Sequence, residues 1–332
     1  MLKFRSIQNE VLKPLDLTIY QGEFFGLISQ NRAETASILQ LVHGFTTPTA
    51  GDVQFDGRTI SKLTPDALVE WRRQVGYVGH GQQLFQQKTL AENIALPLKA
   101  SGASPRLIEQ KVDELLQFIG LSAQKDAYPR QVTPADQLRV AIARALANDT
   151  ELLLLDHIFT NIAPAEQADI IALLQAVHRE QPLTIILAHD DIKPLAACCP
   201  RLAIFAAGEM VETGPLFELT FQHEHAATKA IMAPLFQLQL TEQQWQLPGV
   251  LVKVALRGSA IGDTLLAEMI RQYDVQVRLL QGNMTPLLQN MVSLFVLQLN
   301  GEELQVALAQ HFLKQRGAIV EVLQQHDVFA YE

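Results

Sequence analysis

The sequence is poor in cysteine, in tryptophan and in positive charge. Its 332 residues include 2 Cys and 2 Trp. The cysteines are adjacent, Cys198-Cys199, which gives no disulfide framework and suits a reducing compartment. They read as small apolar fillers. Lys plus Arg number 26 against 35 Asp plus Glu, for a net charge of -9. A chain that neutralises phosphates is usually basic, so nucleic acid is not an expected partner. No run approaches the roughly 18 uninterrupted apolar residues of a membrane span. The N-terminus lacks the basic segment, apolar core and small-residue cleavage site of a secretory signal.

What is there is core-forming. The hydrophobic fraction is 48% and the charged fraction 18%, on a length that suits two domains. Strand-like and helix-like segments alternate over the first two thirds. Strands are expected at 24–28, 75–78, 152–155, 183–187 and 202–205, and helices at 34–42, 105–119, 137–147 and 165–180. Residues 152–155, LLLL, are apolar on every side, as a strand covered on both faces must be. Such alternation implies a mostly parallel sheet between helices. Gly214-Pro215 closes this region. One or two helices follow at 217–237, and a Gln-rich stretch ending at Pro248-Gly249 reads as a linker. The remainder runs strand 251–256, helix 263–273, strands 275–280 and 294–299, helix 302–315 and strand 319–323, a βαββαβ order.

Several phrases carry a resemblance. Residues 24–57 read FFGLISQNRAETASILQLVHGFTTPTAGDVQFDG, and RVAIARALAND, LLLLD and LTIILAHDD follow in order. Together these resemble the ATP-binding cassette ATPases. The octet matched to that family's G-x-x-x-x-G-K-[ST] phosphate loop is Ser29, Gln30, Asn31, Arg32, Ala33, Glu34, Thr35 and Ala36. The family's glycines let backbone N–H groups wrap phosphates, its Lys reaches the terminal phosphates and its hydroxyl ligates magnesium. Here Glu34 stands at the second Gly, Thr35 at the Lys and Ala36 at the hydroxyl. Losing such charged hydrogen bonds is expected to cost nucleotide binding roughly 3–6 kcal/mol, about a hundred- to ten-thousand-fold in affinity.

The other matched positions depart in the same direction. The signature LSGGQ becomes Val132-Thr133-Pro134-Ala135-Asp136, and the D-loop becomes Thr160-Asn161-Ile162-Ala163. The Glu after the Walker B strand is His157, and the Q-loop Gln is His80. Asp156 and His189 match the family, and each is also readable as a polar strand-end residue satisfied locally. Asp156, His157, His189 and His80 are therefore expected to be vestigial, with no catalytic residue, metal or cofactor. ATP and Mg enter only if the alternative of an active importer ATPase with divergent loops holds.

Residues 250–325, with the phrase VQVRLLQGN at 275–283, resemble the NIL domain that ends methionine-importer ATPase subunits. That resemblance implies dimer formation and an amino-acid effector held by Gln281, Gly282, Asn283 and Met284. The same four residues also read as a hairpin turn with Gly282 at positive φ. The segment 79–98, with TLAENIALPL, resembles the family's groove for a membrane partner; Ile94, Leu96 and Leu98 there also read as core. The expected fold is thus α/β: a P-loop NTPase-like cassette domain at 1–220 with a helical subdomain at about 86–150, a helical linker at 221–248, and a ferredoxin-like domain at 249–332. The expected role is a non-hydrolysing regulatory or structural homo- or heterodimer partner of an ABC permease or another cassette subunit. It would be peripheral on the cytoplasmic face of the inner membrane. An amino-acid sensor acting through the C-terminal domain is a further alternative.

Overall fold

A computed structural model describes residues 1–81, 84–180, 182–235, 240–257, 262–288 and 290–323. The chain divides into two compact units, Met1–Leu216 and Phe217–Glu332. The division falls just ahead of residue 220, and the expected helical linker groups with the second unit.

In the first unit, β1 (Leu2–Gln8), β2 (Leu15–Ile19), β4 (Ala50–Phe55) and β5 (Arg58–Thr59) form an antiparallel sheet in the order β2-β1-β4-β5. The sequence reading missed this sheet. Its strands alternate, as LKFRSIQ buries Leu2, Phe4 and Ile7 but not the residues between, so no long apolar run marks them. The second sheet holds β3 (Phe24–Ser29), β6 (Val75–Val78), β7 (Leu152–Asp156), β8 (Thr184–His189), β9 (Arg201–Ala206) and β10 (Glu209–Pro215) in the order β10-β9-β3-β8-β7-β6. Every neighbour pair is parallel except the β9–β10 hairpin. α1 (Arg32–His43) lies between the two sheets. Its Ile38, Leu39, Leu41 and Val42 join Phe4 and Val53 from one sheet and Leu27, Leu154 and Ile186 from the other in one core. Gly44 ends α1 in the left-handed conformation, at φ 73°, and donates its N–H back to the last turn.

Around the sheet stand α2 (Pro65–Gln74), α3 (Leu90–Ala100), α4 (Pro105–Phe118), α5 (Pro134–Leu146), α6 (Pro164–Glu180) and α7 (Ile192–Cys198). α3, α4 and α5 contact one another and form the helical part. α8 (Leu216–Phe221), α9 (Ala226–Met232) and α10 (Glu242–Trp245) follow. The last segment contains β11 (Val250–Arg257), α11 (Gly262–Tyr273), β12 (Gln276–Leu287), β13 (Asn290–Asn300), α12 (Glu303–Gln315) and β14 (Ile319–Val322). The sheet order β12-β13-β11-β14, all antiparallel, is the ferredoxin-like arrangement. Val252, Val254, Leu297 and Leu299 pack against Leu265 and Met269 of α11 and against Ala309 and Leu313 of α12. Residues 324–332 of the expected domain lie outside the described residues.

One expectation fails here. Gln281, Gly282, Asn283 and Met284 are not a turn. They continue β12 and pair with Val296, Phe295, Leu294 and Ser293. Gly282 is not among the positive-φ glycines. A Gly-Asn pair favours a turn locally, but pairing along the whole of β13 carries the strand on to Leu287.

Candidate functional site

Parallel pairing puts the matched positions at one edge of the second sheet. Ile28 pairs with His189 and Asp156 with Ala188, so the ends of β3, β7 and β8 lie side by side. Ligands of open parallel sheets bind at this carboxyl edge. The octet starts there, yet much of it is not a loop. β3 ends at Ser29 and α1 begins at Arg32, so only Gln30 and Asn31 form the turn and Arg32 to Ala36 are helical. Asn31 caps the helix, its side chain accepting from the Ala33 N–H at 3.2 Å. The Glu34 N–H goes to the Asn31 carbonyl at 3.0 Å.

Glu34 turns inward. It is 2% exposed, with Oε2 accepting from the Ser29 hydroxyl at 2.5 Å and Oε1 from the Gly208 N–H at 2.7 Å. The Ser29 hydroxyl also accepts the Asn31 N–H at 2.9 Å. Arg32 points the other way, its Nε and terminal nitrogen lying 2.9 and 2.8 Å from Asp190 Oδ2. Gln30 donates to the Asp190 carbonyl at 3.3 Å. Burial alone would raise the Asp190 carboxyl; the Arg32 hydrogen bond and charge outweigh it and hold it below its ordinary value. The Thr35 hydroxyl is taken by the Arg32 carbonyl at 3.3 Å.

Asp156 ends β7 with both oxygens engaged. The Tyr77 hydroxyl donates to Oδ2 at 2.8 Å, and His157 Nδ1 lies 2.9 Å from Oδ1. Burial would raise this carboxyl, but the bonds from His157 and Tyr77 hold it below its ordinary value. The Tyr77 hydroxyl is pushed up by its burial and then by the Asp156 charge. His157 has a left-handed backbone, φ 50°, fixed by its N–H on the Ala188 carbonyl at 3.0 Å and by Thr160 on its own carbonyl at 3.1 Å. Its buried Nε2 has no hydrogen-bond partner among the described residues. His189 stacks on it at 5.9 Å and accepts the Asp191 N–H on Nδ1 at 2.8 Å, so the neutral ring carries its hydrogen on Nε2. Burial lowers the His189 pKa, with Asp190 opposing. His80 is exposed at the end of the β6 turn.

The signature positions close on themselves too. Thr133 caps α5, accepting the Asp136 N–H at 3.1 Å and donating to the Asp136 carboxylate at 3.0 Å, while Arg139 pairs with Asp136 at 2.9 Å. The donor set does not fit a magnesium nucleotide. An acid occupies the helix start, the N–H groups of Asn31, Ala33 and Glu34 are met within the chain, the Ala36 side chain offers no oxygen, and each Asp156 oxygen already has a partner. No group of three or more metal-ligating side chains that could hold a metal ion occurs among the described residues.

A second feature, absent from the matched nucleotide motifs, lies in the segment 84–100. Asn93 is buried on α3. Its Oδ1 accepts from the Phe85 N–H at 2.8 Å, and its Nδ2 donates to the carbonyls of Phe85, Lys88 and Thr89 at 2.9–3.1 Å. Thr89 and Glu92 form a capping box in front of it. The loop is thereby fixed with Phe85 56% exposed. Of the three residues also readable as core, Ile94 and Leu98 are buried and Leu96 is half-buried. Phe45, also exposed, lies on the His43 ring at 4.0 Å with the Arg72 guanidinium 5.5 Å from its centroid. Nothing in an EN pair signals such a clamp without knowing how the loop in front folds back.

Comparisons with known proteins bear on both units. The model of the ABC transporter family matches residues 12–160, and that of the NIL domain matches residues 250–322. A methionine import ATP-binding protein of Burkholderia lata is 33% identical over 322 residues, covering 95% of this chain and 94% of its own. This chain belongs to the family of methionine import ATP-binding proteins. Another member, from Oceanobacillus iheyensis, is 30% identical over 94% of this chain and 92% of its own. Solved cassettes show the same fold in the first unit. CbiO1 from Clostridium perfringens, part of an ABC transporter complex, has a TM-score of 0.61 at 23% identity, over 64% of this chain and 88% of that one. A dimeric ATP-binding cassette bound to ADP and Pi has a TM-score of 0.59 at 26% identity, over 65% of this chain and 99% of that one. This methionine-import ATP-binding family member pairs a P-loop cassette with a C-terminal NIL domain. No helix among its described residues is long and apolar enough to cross a membrane.

Proposed function

We propose that this chain is a non-hydrolysing member of its family, a regulatory or structural partner within an ABC importer of the methionine type. The observation that carries the reading is Glu34, an acid at the second-Gly position that is buried on the Gly208 N–H and the Ser29 hydroxyl. An anion approaching the start of α1 would meet this carboxylate and find the Asn31, Ala33 and Glu34 N–H groups already bonded. Asp156 and the capped start of α5 support the same reading. The clamped loop at Phe85 supports docking on a permease or on another cassette subunit, at the cytoplasmic face of a membrane. Purified chain incubated with Mg-ATP is expected to release no phosphate above background. Turnover at ordinary cassette rates overturns the proposal.

A second reading, an active importer ATPase, draws on the ATP-binding names of the relatives and on the unpartnered Nε2 of His157, a lone pair in the place of the family's base. It requires nucleotide binding, and calorimetry with no heat at millimolar ATP removes it. A third, an amino-acid sensor, draws on Gly282, Asn283 and Met284, exposed along β12. Full-length chain that gives no calorimetric response to methionine or related amino acids counts against it.

A further inference from the structure

β3 sits between β9 and β8 in the sheet, and the turn that leaves it is tied to both neighbours. On one side Arg32 and Gln30 hold Asp190, just past β8. On the other, Glu34 reaches 174 residues along the sequence to Gly208, at the tip of the β9–β10 hairpin. That tip is fixed independently. Ala207 and Gly208 have φ of 52° and 80°, and the Gly208 carbonyl accepts the Lys13 N–H at 2.8 Å. A Cβ on Gly208 would stand 2.8 Å from the Val11 carbonyl oxygen, so the tip needs glycine for room as well as for φ. Its N–H therefore points at one place, and Glu34 Oε1 is there.

We infer that Glu34 is an internal anion ligand: its carboxylate joins the β3–α1 turn to the β9–β10 hairpin and holds the turn shut without nucleotide. The inference deepens the non-hydrolysing reading and rests on it for its biological meaning. The carboxylate supplies what a bound anion would supply, an acceptor for the Gly208 N–H and the Ser29 hydroxyl beside the positive end of α1. Replacing it leaves a buried N–H and a buried hydroxyl without that acceptor.

The test is amide exchange at Gly208, read by NMR, with melting temperature, in the wild type, Glu34→Leu and Glu34→Ala. Each is measured with and without millimolar inorganic phosphate. In Glu34→Leu, which keeps much of the volume and removes both acceptors, Gly208 exchange is expected to rise about tenfold or more. The Tm is expected to fall by about 5–10 °C. In Glu34→Ala phosphate should restore part of both losses, while the wild type ignores it. Unchanged Gly208 exchange in Glu34→Leu overturns the inference, and so does phosphate stabilising the wild type as much as Glu34→Ala. A Glu34→Ala protein that loosens at Gly208 yet ignores phosphate overturns the anion assignment and leaves an ordinary buried acceptor. ATP turnover by the wild type would refute the non-hydrolysing reading and leave the Gly208 result intact.

Discussion

Glu34 and Asn93 are both buried polar residues near the start of a helix, and each fixes the turn in front of it. They do so in opposite senses. Glu34 is charged and reaches a distant hairpin, drawing its turn into the protein. Asn93 is neutral and bonds only to residues 85–89, spreading that loop outward with a bulky phenyl ring half in water. An exposed aromatic on a rigid loop is a surface prepared for contact, because little side-chain or loop freedom remains to be lost on binding. A turn held by a buried carboxylate is a surface prepared for none. The closed turn falls on the octet 29–36 and the open loop on the segment that ends in TLAENIALPL, so the two kinds of turn sit on different stretches of the same unit.

Four experiments can break or sharpen that contrast. The largest effect is expected from rebuilding the closed turn with Glu34→Gly, Thr35→Lys and Ala36→Ser together. ATP affinity measured by calorimetry should rise about a hundred- to ten-thousand-fold. No gain would mean that something other than this turn excludes nucleotide. Next, Asn93→Leu removes the four bonds of the open loop and should cost about 2–4 kcal/mol in chemical denaturation. A loss below about 1 kcal/mol would show that the capping box alone suffices.

The third concerns acid and the far end of α1. Burial, then the Arg72 charge, lowers the His43 pKa from 6.5 to about 4, and its Nδ1 is buried without a partner among the described residues. The unfolded chain binds this proton more readily than the folded one. The contribution is therefore complete above pH 6.5 and lost as pH falls toward 4, by up to about 3 kcal/mol. Denaturation midpoints across that window should show it, and His43→Phe should flatten the slope. A slope untouched by His43→Phe would place the acid sensitivity elsewhere. Smallest of all, Asp136→Asn at the partly buried start of α5 should change stability by about 1 kcal/mol or less, since Thr133 keeps the cap and the Asn side chain can still accept from Arg139. A loss as large as that of Glu34→Leu would erase the distinction between an acid that ties a distant hairpin and one that bonds within its own helix.

The sequence made the parallel sheet legible because its buried strands are short apolar runs in a fixed order with helices. The antiparallel sheet was not, since β1 and β4 bury only alternate residues and look like polar segments. The acid at position 34 was visible, and so was its conflict with phosphate. Its partner was not: nothing at Gly208 announces a contact with a residue so far away in the chain. Position 282 shows the reverse error, in which a locally good turn signal was overridden by pairing with Phe295 across the sheet.

β12 occupies one rim of the C-terminal sheet, with β13 on its inner side and no strand on its outer side among the described elements. It is 12 residues long, with Leu279 and Met284 in water and Arg278 as its guard. Soluble proteins usually keep such rims short, charged or capped, because a long bare one invites any stray extended peptide to zip onto it. A solitary copy of this chain would thus carry an aggregation hazard, and handling it at high concentration should prove harder than its acidic composition suggests.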